Sequence, residues 1–404
     1  MANTEKIIDG LMASLTSTKL RIWIVSAAAI LVIASLARGP LVRAYEAAQF
    51  ALDVASGLNV TKSDAGLPVR TPITYEVEGR QYAGDIYVPR QRAPRAAAVA
   101  VPGVVTEGKD DPRLVAFSTS LARAGFLVLA PDIPNIRALK IGSSDSDFIA
   151  AATRYLASRA ESGQPQSVGL FAFSYAAGPA IIAAMKPETR HLVRFVFSVG
   201  AYFNVEAAVT FLTTGYYRSE TGTWMLGHPN PYAKWVFLIS NAARIENAED
   251  RKIVEAIADR KLANDEADIS DLVSKLGVEG RVIYALMSNK NPERVPELVA
   301  ALPAAVGQEM SALDLRNQDL KSLEARLILI HGVDDTLVPY TESIALARAA
   351  AGNARLFLIG SLGHVEPRLS NLQDILKFWQ AAYEILAERD AMPEPTKEWP
   401  ARAR

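Results

Sequence analysis

Residues 168–178 read Val168-Gly169-Leu170-Phe171-Ala172-Phe173-Ser174-Tyr175-Ala176-Ala177-Gly178. An apolar run of strand length ends on a serine set among small residues and passes directly into an alanine-rich, helix-forming stretch. A side chain carried on so sharp a strand-to-helix turn takes up strained backbone angles. The residues two before and two after it must then be small, so that strand and helix can pass closely. Ala172 and Ala176 meet that demand, although glycine is the usual occupant of both places. The competing reading is a serine buried there for packing alone.

Two later segments bear on the choice. Arg326-Leu327-Ile328-Leu329-Ile330-His331-Gly332-Val333-Asp334-Asp335-Thr336-Leu337-Val338-Pro339 reads as a second buried strand whose carboxyl end presents a carboxylate. Ala354-Arg355-Leu356-Phe357-Leu358-Ile359-Gly360-Ser361-Leu362-Gly363-His364 is a third strand, and the loop after it carries a histidine. Serine, acid and histidine thus follow one another along the chain, each just past a strand end. A serine hydroxyl is a poor nucleophile at neutral pH, and this set supplies what it lacks. The imidazole takes its proton and later returns it to the leaving group, while the carboxylate fixes the tautomer.

With these three segments in the order serine, acid, histidine, the chain resembles the α/β-hydrolases, nearest to their dienelactone hydrolase and acyl-esterase branches, over roughly residues 70–200 and 320–390. The resemblance implies Ser174 as nucleophile, His364 as general base and Asp335 as its orienting acid. The family's His-Gly-x-x-Asp spacing, counted from His331, lands on Asp335, and Asp334 falls one residue early. Either aspartate also suits a solvated turn or a helix N-cap. Glu206, soon after the strand Phe195–Val199, is the alternative acid, at a location some family members use. Of the remaining histidines, His331 resembles a structural His-Gly, His191 lies in a charged connection and His228 sits beside prolines. The strand and loop Ala96–Val105 match the segment that donates an oxyanion amide in the family, with Pro102-Gly103 where His-Gly is common. The implied donors are the backbone N–H groups of Tyr175 and Val104.

The activity this implies is hydrolysis of carboxylic esters through an acyl-enzyme, with no cofactor and no metal. Amide or peptide cleavage uses the same machinery, because the leaving group is chosen by pocket shape. A membrane-anchored binding protein that kept the fold without the chemistry is the non-enzymatic alternative, and the two alanines at the turn together with the missing His-Gly favour it. Haloalkane dehalogenation would need a carboxylate where Ser174 stands.

The rest of the chain fits an α/β fold with a mostly parallel sheet and helices on both faces. Ile73–Val77 and Tyr82–Val88 alternate apolar with polar about Glu78-Gly79-Arg80 and predict an antiparallel hairpin at the sheet edge. Asp111-Pro112 opens a helix that runs through Ala124 with Gly125 beyond it, and Phe126–Ala130 is the next strand. At its end Asp132 is read as bracing the loop. A helix follows over about 145–160. The expected domains are 71–200 and 323–390 for the two parts of the core, with a helical cap insertion over 201–322 between them.

Within that cap, Ala242–Ala258 and Asp265–Leu276 carry helical spacing, and no strand is evident. Its first third holds Tyr202, Phe203, Phe211, Tyr216, Tyr217, Trp224, Tyr232, Trp235 and Phe237, which either build the cap's own core or line a pocket for a small apolar acyl or aromatic ester. Half of the 404 residues are hydrophobic, enough for one large core plus an insertion. A net charge of −1 predicts no nucleic-acid partner. The chain has no cysteine, which excludes disulfides, thiolate metal sites and a cysteine nucleophile.

Residues 22–37, Ile22 to Ala37, are apolar and uncharged, with Lys19 and Arg21 before them and Arg38 and Arg43 after. As a helix they span about 24 Å, short of the roughly 30 Å hydrocarbon core but within reach if the arginines snorkel. Residues 1–45 are therefore read as a membrane anchor placing the catalytic domain outside the cytoplasm. The alternatives are a cleaved signal ending near Ser35-Leu36-Ala37 and a buried soluble helix. Residues 46–70 are expected to be a linker and 391–404 a loose tail.

Overall fold

Glu78 and Gly79 both adopt positive φ, 52° and 75°, the pair of left-handed residues that a two-residue hairpin demands. They join β1 (Val69–Val77) to β2 (Arg80–Val88) in register from Val77–Arg80 to Val69–Val88. The computed structural model describes residues 39–57, 66–90, 92–159, 166–364, 371–393 and 395. The apolar segment 22–37 and most of the tail lie outside them. No helix among the described residues is long and apolar enough to cross a membrane.

Beyond the hairpin come β3 (Ala96–Val101), α2 (Pro112–Arg123), β4 (Phe126–Pro131), the single turn α3 (Pro134–Arg137), α4 (Asp145–Ala157), β5 (Val168–Phe173), α5 (Ala177–Met185) and β6 (Val193–Val199). Asp111 caps α2 as its sequence predicts, its carboxylate accepting from Arg113 N–H. After the cap the chain returns through β9 (Arg326–Gly332), α13 (Tyr340–Ala349), β10 (Ala354–Ile359) and α14 (Leu372–Ala391). The eight strands lie in the order β1-β2-β4-β3-β5-β6-β9-β10. Only β2 runs against its neighbours β1 and β4; every other pairing is parallel.

A sheet covered on both faces needs strands that are apolar on both sides, and every residue of β3 and β4 is buried. One face carries α4, α5 and α13 over Ile149, Leu156, Ile181 and Leu346. The other carries α2 and α14 over Leu121, Phe378 and Ile385. Phe171 sits centrally on this second face, meeting Phe126 and Phe195 edge-on at 5.7 and 5.4 Å. Gly169 makes room for the Phe195 ring, since a Cβ there would lie 2.4 Å from it.

The expected linker is in part a structural element. Residues 39–55 form a helix, α1, packed on the second face beside α14. Ala47, Phe50, Ala51 and Val54 repeat at helical spacing and face the core, a pattern legible in the sequence but short enough to pass for irregular chain. Trp379 Nε1 donates to Ala44 O at 3.0 Å, and Arg43 pairs with Asp390 at 2.8 Å. Glu46 pairs with the fully buried Arg389 and, at 3.0 Å each, with Arg92 and Arg95.

The cap comprises α6 (Val205–Thr214), α7 (Pro231–Ala242), α8 (Ala248–Ala263), α9 (Ser270–Val273), α10 (Val278–Ser288), α11 (Val295–Ala300) and α12 (Ala304–Leu313). It has its own core about Trp235, Leu238, Ile257, Ile283 and Val306. Two expectations change here. The helix expected over Ala242–Ala258 spans a break, where α7 ends and Asn247 caps α8; of Asp265–Leu276 only Ser270–Val273 is helical. A short hairpin, β7 (Tyr216–Arg218) with β8 (Trp224–Leu226), stands where no strand was read, three residues per strand being too few for an alternating pattern.

Burial works against a charge on Glu46, but the hydrogen bond and charge of Arg389, helped by Arg92 and Arg95, hold its carboxyl down at about 2. A depressed native value stabilises the fold above the ordinary glutamate range and loses that contribution as the pH falls from about 4.5 towards 2. Urea denaturation across this window should show the wild-type midpoint falling with acid. Glu46→Gln should be less stable at neutral pH and flatter through the same window.

Candidate active site

Ser174 follows β5 directly with φ 57°, one of four non-glycine residues in the left-handed region among the described residues. Such a conformation costs of order 1–3 kcal/mol and persists where the surroundings fix it. Here they do. Ala172 and Ala176 are fully buried between sheet and helix, as the sequence predicts for small residues at these places. Gly178 is a third small residue with a specific reason: a Cβ there would lie 1.9 Å from the Tyr202 hydroxyl, which crosses the helix to donate to Leu313 O. The next residue along, Tyr175, is pinned by its own hydroxyl, 2.8 Å from Gly142 O and 2.9 Å from Asp145 Oδ2. Burial, and then the neighbouring Asp145, push that phenol up and keep it neutral.

The loop after β3 runs beside the serine. A Cβ on Gly103 would sit 3.7 Å from Ser174 Cβ, and Tyr232 donates to Val104 O at 3.1 Å, holding that peptide by its carbonyl. The Val104 N–H makes no hydrogen bond among the described residues. The Tyr175 N–H lies in a first helical turn, where backbone donors have no intrahelical partner.

Asp335 and His364, from the loops after β9 and β10, meet as expected. His364 Nδ1 and Asp335 Oδ2 are 2.7 Å apart, while Asp335 Oδ1 accepts from the N–H groups of Leu337 and Val338 at 2.7 and 3.0 Å. Burial raises the cost of charge on Asp335, but its hydrogen bonds with His331 and His364 outweigh this and hold the carboxyl well below the usual range. An ionised Asp335 favours the tautomer with the proton on Nδ1, in which Nε2 carries the lone pair. That nitrogen is buried and has no hydrogen-bond partner among the described residues. No hydrogen bond joins it to Ser174 here, and catalytic contacts of this kind commonly tighten only when substrate binds.

Several supporting residues have no role in the sequence reading. Asp334 is more than a solvated turn: its Oδ1 accepts from Leu362 N–H and Gly363 N–H at 3.1 and 2.8 Å and so fixes the histidine loop. Gly332 lets that loop pass, since a Cβ would lie 2.2 Å from Gly363 O. Gly200, at φ 70°, leaves space where a Cβ would stand 3.0 Å from the His364 ring and 3.3 Å from Asp335 Oδ2. His331 is structural, as its sequence position suggests. It is fully buried, with Nδ1 2.7 Å from Ser343 Oγ and Nε2 2.9 Å from Val338 O and 3.3 Å from Asp335 Oδ2. The alternative acid Glu206 lies in the first turn of α6, and His191 and His228 are exposed.

Ser174 and His364 line a single cavity of about 940 Å³ with predominantly apolar walls. It opens at the carboxyl ends of the strands, where β3 lies between β4 and β5 and the chain reverses its direction of travel across the sheet, the general location for ligands in open α/β sheets. Tyr202, Tyr232 and Phe237 line it, whereas Trp235 belongs to the cap core. No group of three or more His, Asp or Glu side chains able to hold a metal occurs among the described residues.

No protein-family model and no curated protein matches the chain. Solved structures do. A 2,6-dihydroxy-pseudo-oxynicotine hydrolase aligns at TM-score 0.48 and 13% identity over 82% of this chain and 72% of that one. The esterase domain of a Rhodothermus marinus protein aligns at 0.39 and 16%, covering 80% and 99%, and a dienelactone hydrolase from Anabaena variabilis at 0.40 and 14%, covering 79% and 96%. At such values the chemistry has to be argued from the side chains themselves.

The His364–Asp335 pair should give a far-downfield proton signal in NMR spectra of the protein. Gly332→Ala forces the Gly363 carbonyl to move and should abolish or broaden that signal, as should Asp335→Asn; an unchanged signal in Gly332→Ala would contradict the close passage.

Proposed function

We propose that the protein is a serine hydrolase of the α/β-hydrolase type that cleaves carboxylic esters with an apolar part. The observation that carries this is the buried Nε2 of His364, without a partner among the described residues, on a ring held by Asp335 that shares one cavity with a serine in a strained turn. An imidazole oriented by an ionised carboxylate, with its second nitrogen bare and desolvated, is suited to removing a proton from a hydroxyl.

In this reading His364 Nε2 takes the proton of Ser174 as Oγ forms a bond to the acyl carbon. Negative charge develops on the carbonyl oxygen and is received by the N–H groups of Tyr175 and Val104, of which one is worth roughly 10²–10³ in kcat. The bond to the alkoxy group breaks and His364 gives that group its proton. Water then attacks the acyl-enzyme with His364 again as base, releasing the acid and restoring Ser174. The predominantly apolar lining supports an apolar ester over a charged substrate.

A membrane tether through residues 22–37 belongs to the same proposal. Supporting it, α1 exposes Leu41, Val42 and Tyr45, which follow the apolar segment closely in the sequence.

A fluorophosphonate probe should label the wild type and fail on Ser174→Ala. With p-nitrophenyl esters, Asp335→Asn should lose about 10⁴ in kcat through the wrong tautomer. Asp334→Asn keeps an acceptor oxygen and should stay near wild type, whereas Asp334→Ala releases the loop and should lose up to about 10². Equal losses in Asp335→Asn and Asp334→Asn would remove Asp335 from its role. For the tether, alkaline phosphatase fused after residue 70 should be active and remain with membranes through carbonate washing; inactive fusion protein would reverse the orientation.

A further inference from the structure

The cavity is larger than the triad requires, and its lining divides by element. Beneath the cap it is walled mainly by Val209, Leu212, Val236, Phe237 and Met310, and Ser240, Asn241 and Glu309 among them are bonded within the protein. On the second face of the sheet it is bounded by α1, α2 and α14, chiefly through Phe50, Val54, Leu114, Phe117, Phe378 and Ile385, with the paired Asp111 and Arg113 and with Ser120 beside them. Asp53 also borders this side, with its carboxylate paired to Arg123 at 3.2 Å. A run of rings leads away from the serine. Phe173, the residue before Ser174, meets Phe117 at 5.0 Å, and Phe117 meets Phe50 of α1 at 6.1 Å.

We propose that α1 closes an acyl-chain arm of the active site, a groove running from Ser174 past Phe173 and Phe117 to Phe50 and Val54, and that the enzyme therefore prefers esters of medium-chain fatty acids to acetate. This rests on the serine hydrolase reading and adds to it the substrate class. The physical basis is the run of aromatic and aliphatic side chains along this arm, whose charged neighbours Asp53 and Asp111 are paired with Arg123 and Arg113. A flexible hydrocarbon chain leaves no polar group unpaired against aromatic and aliphatic walls, and every methylene it buries there is removed from water. The side under the cap then takes the alcohol portion. In this arrangement α1 is a determinant of specificity, acting by shape at a distance from the reacting atoms.

The test compares p-nitrophenyl octanoate with the acetate, and in parallel a series of acetate esters of lengthening alcohols. Wild-type kcat/KM should favour octanoate by at least about tenfold, because single methylenes in an apolar pocket already discriminate by about that factor. Val54→Trp fills the arm from α1 and should lower the octanoate-to-acetate ratio at least tenfold; Leu52→Ala, on the exposed side of the same helix, should leave the ratio unchanged. Ala382→Phe fills the arm from α14 and serves if Val54→Trp does not fold. An unaltered ratio in a folded filling variant, or a preference that follows the alcohol and ignores the acyl chain, overturns the proposal. If the protein neither turns over esters nor labels with fluorophosphonate, the hydrolase reading fails separately. Calorimetry with octanoate then reads the arm directly: binding that is lost in the filling variant supports it, and no binding to the wild type overturns it.

Discussion

The contact between Asp335 Oδ2 and His364 Nδ1 is the constraint around which the carboxyl edge of the sheet is arranged. A buried carboxylate is tolerable only if its lone pairs are filled, and Asp335 fills them with two backbone N–H groups and two imidazoles. Each partner needs its own support. His331 is held by Ser343 and Val338 O, the His364 loop by Asp334, and the space for the ring pair by the missing side chain at Gly200. What looks like a triad is the visible part of a cluster drawn from the ends of β6, β9 and β10.

The parts of this cluster differ in how openly the sequence declares them. Ser174, Asp335 and His364 each end an apolar run of strand length, and a strand followed by a turn is a local pattern. Ala172 and Ala176 are legible for the same reason, as are the Asp111 cap and the hairpin at Glu78-Gly79. Gly200, Gly332 and Asp334 are silent because their roles exist only across tertiary contacts: a glycine needed for the approach of a loop more than thirty residues later has no local signature. α1 is hidden because its apolar stripe is short: its residues 46–55 pass for linker and 39–45 for the end of the anchor segment. The helix boundaries at Ala242 and Asn247 are hidden because alanine, isoleucine and valine spacing continues across a break that only Asn247 marks.

The cap contributes in two ways. Its core is independent, so most of its aromatic and aliphatic residues pack on one another. A few reach the cavity beside Ser174: Tyr232 fixes the Val104 peptide, and Phe237 and Met310 border the cavity. Tyr202, at the junction, links the two by spanning α5 above Gly178 and bonding to the end of α12.

Arg389 has a consequence of a different kind. Its guanidinium is fully buried, burial lowers its affinity for its proton, and the carboxylates that offset this come from Glu46 on α1 and from its neighbour Asp390. A shortened protein begun at the first strand of the sheet would keep Ser174, Asp335 and His364 and yet leave this cation with one partner fewer. The minimal folding unit therefore reaches back at least to Glu46, and any excised version intended for crystallography or display has to carry that helix with it.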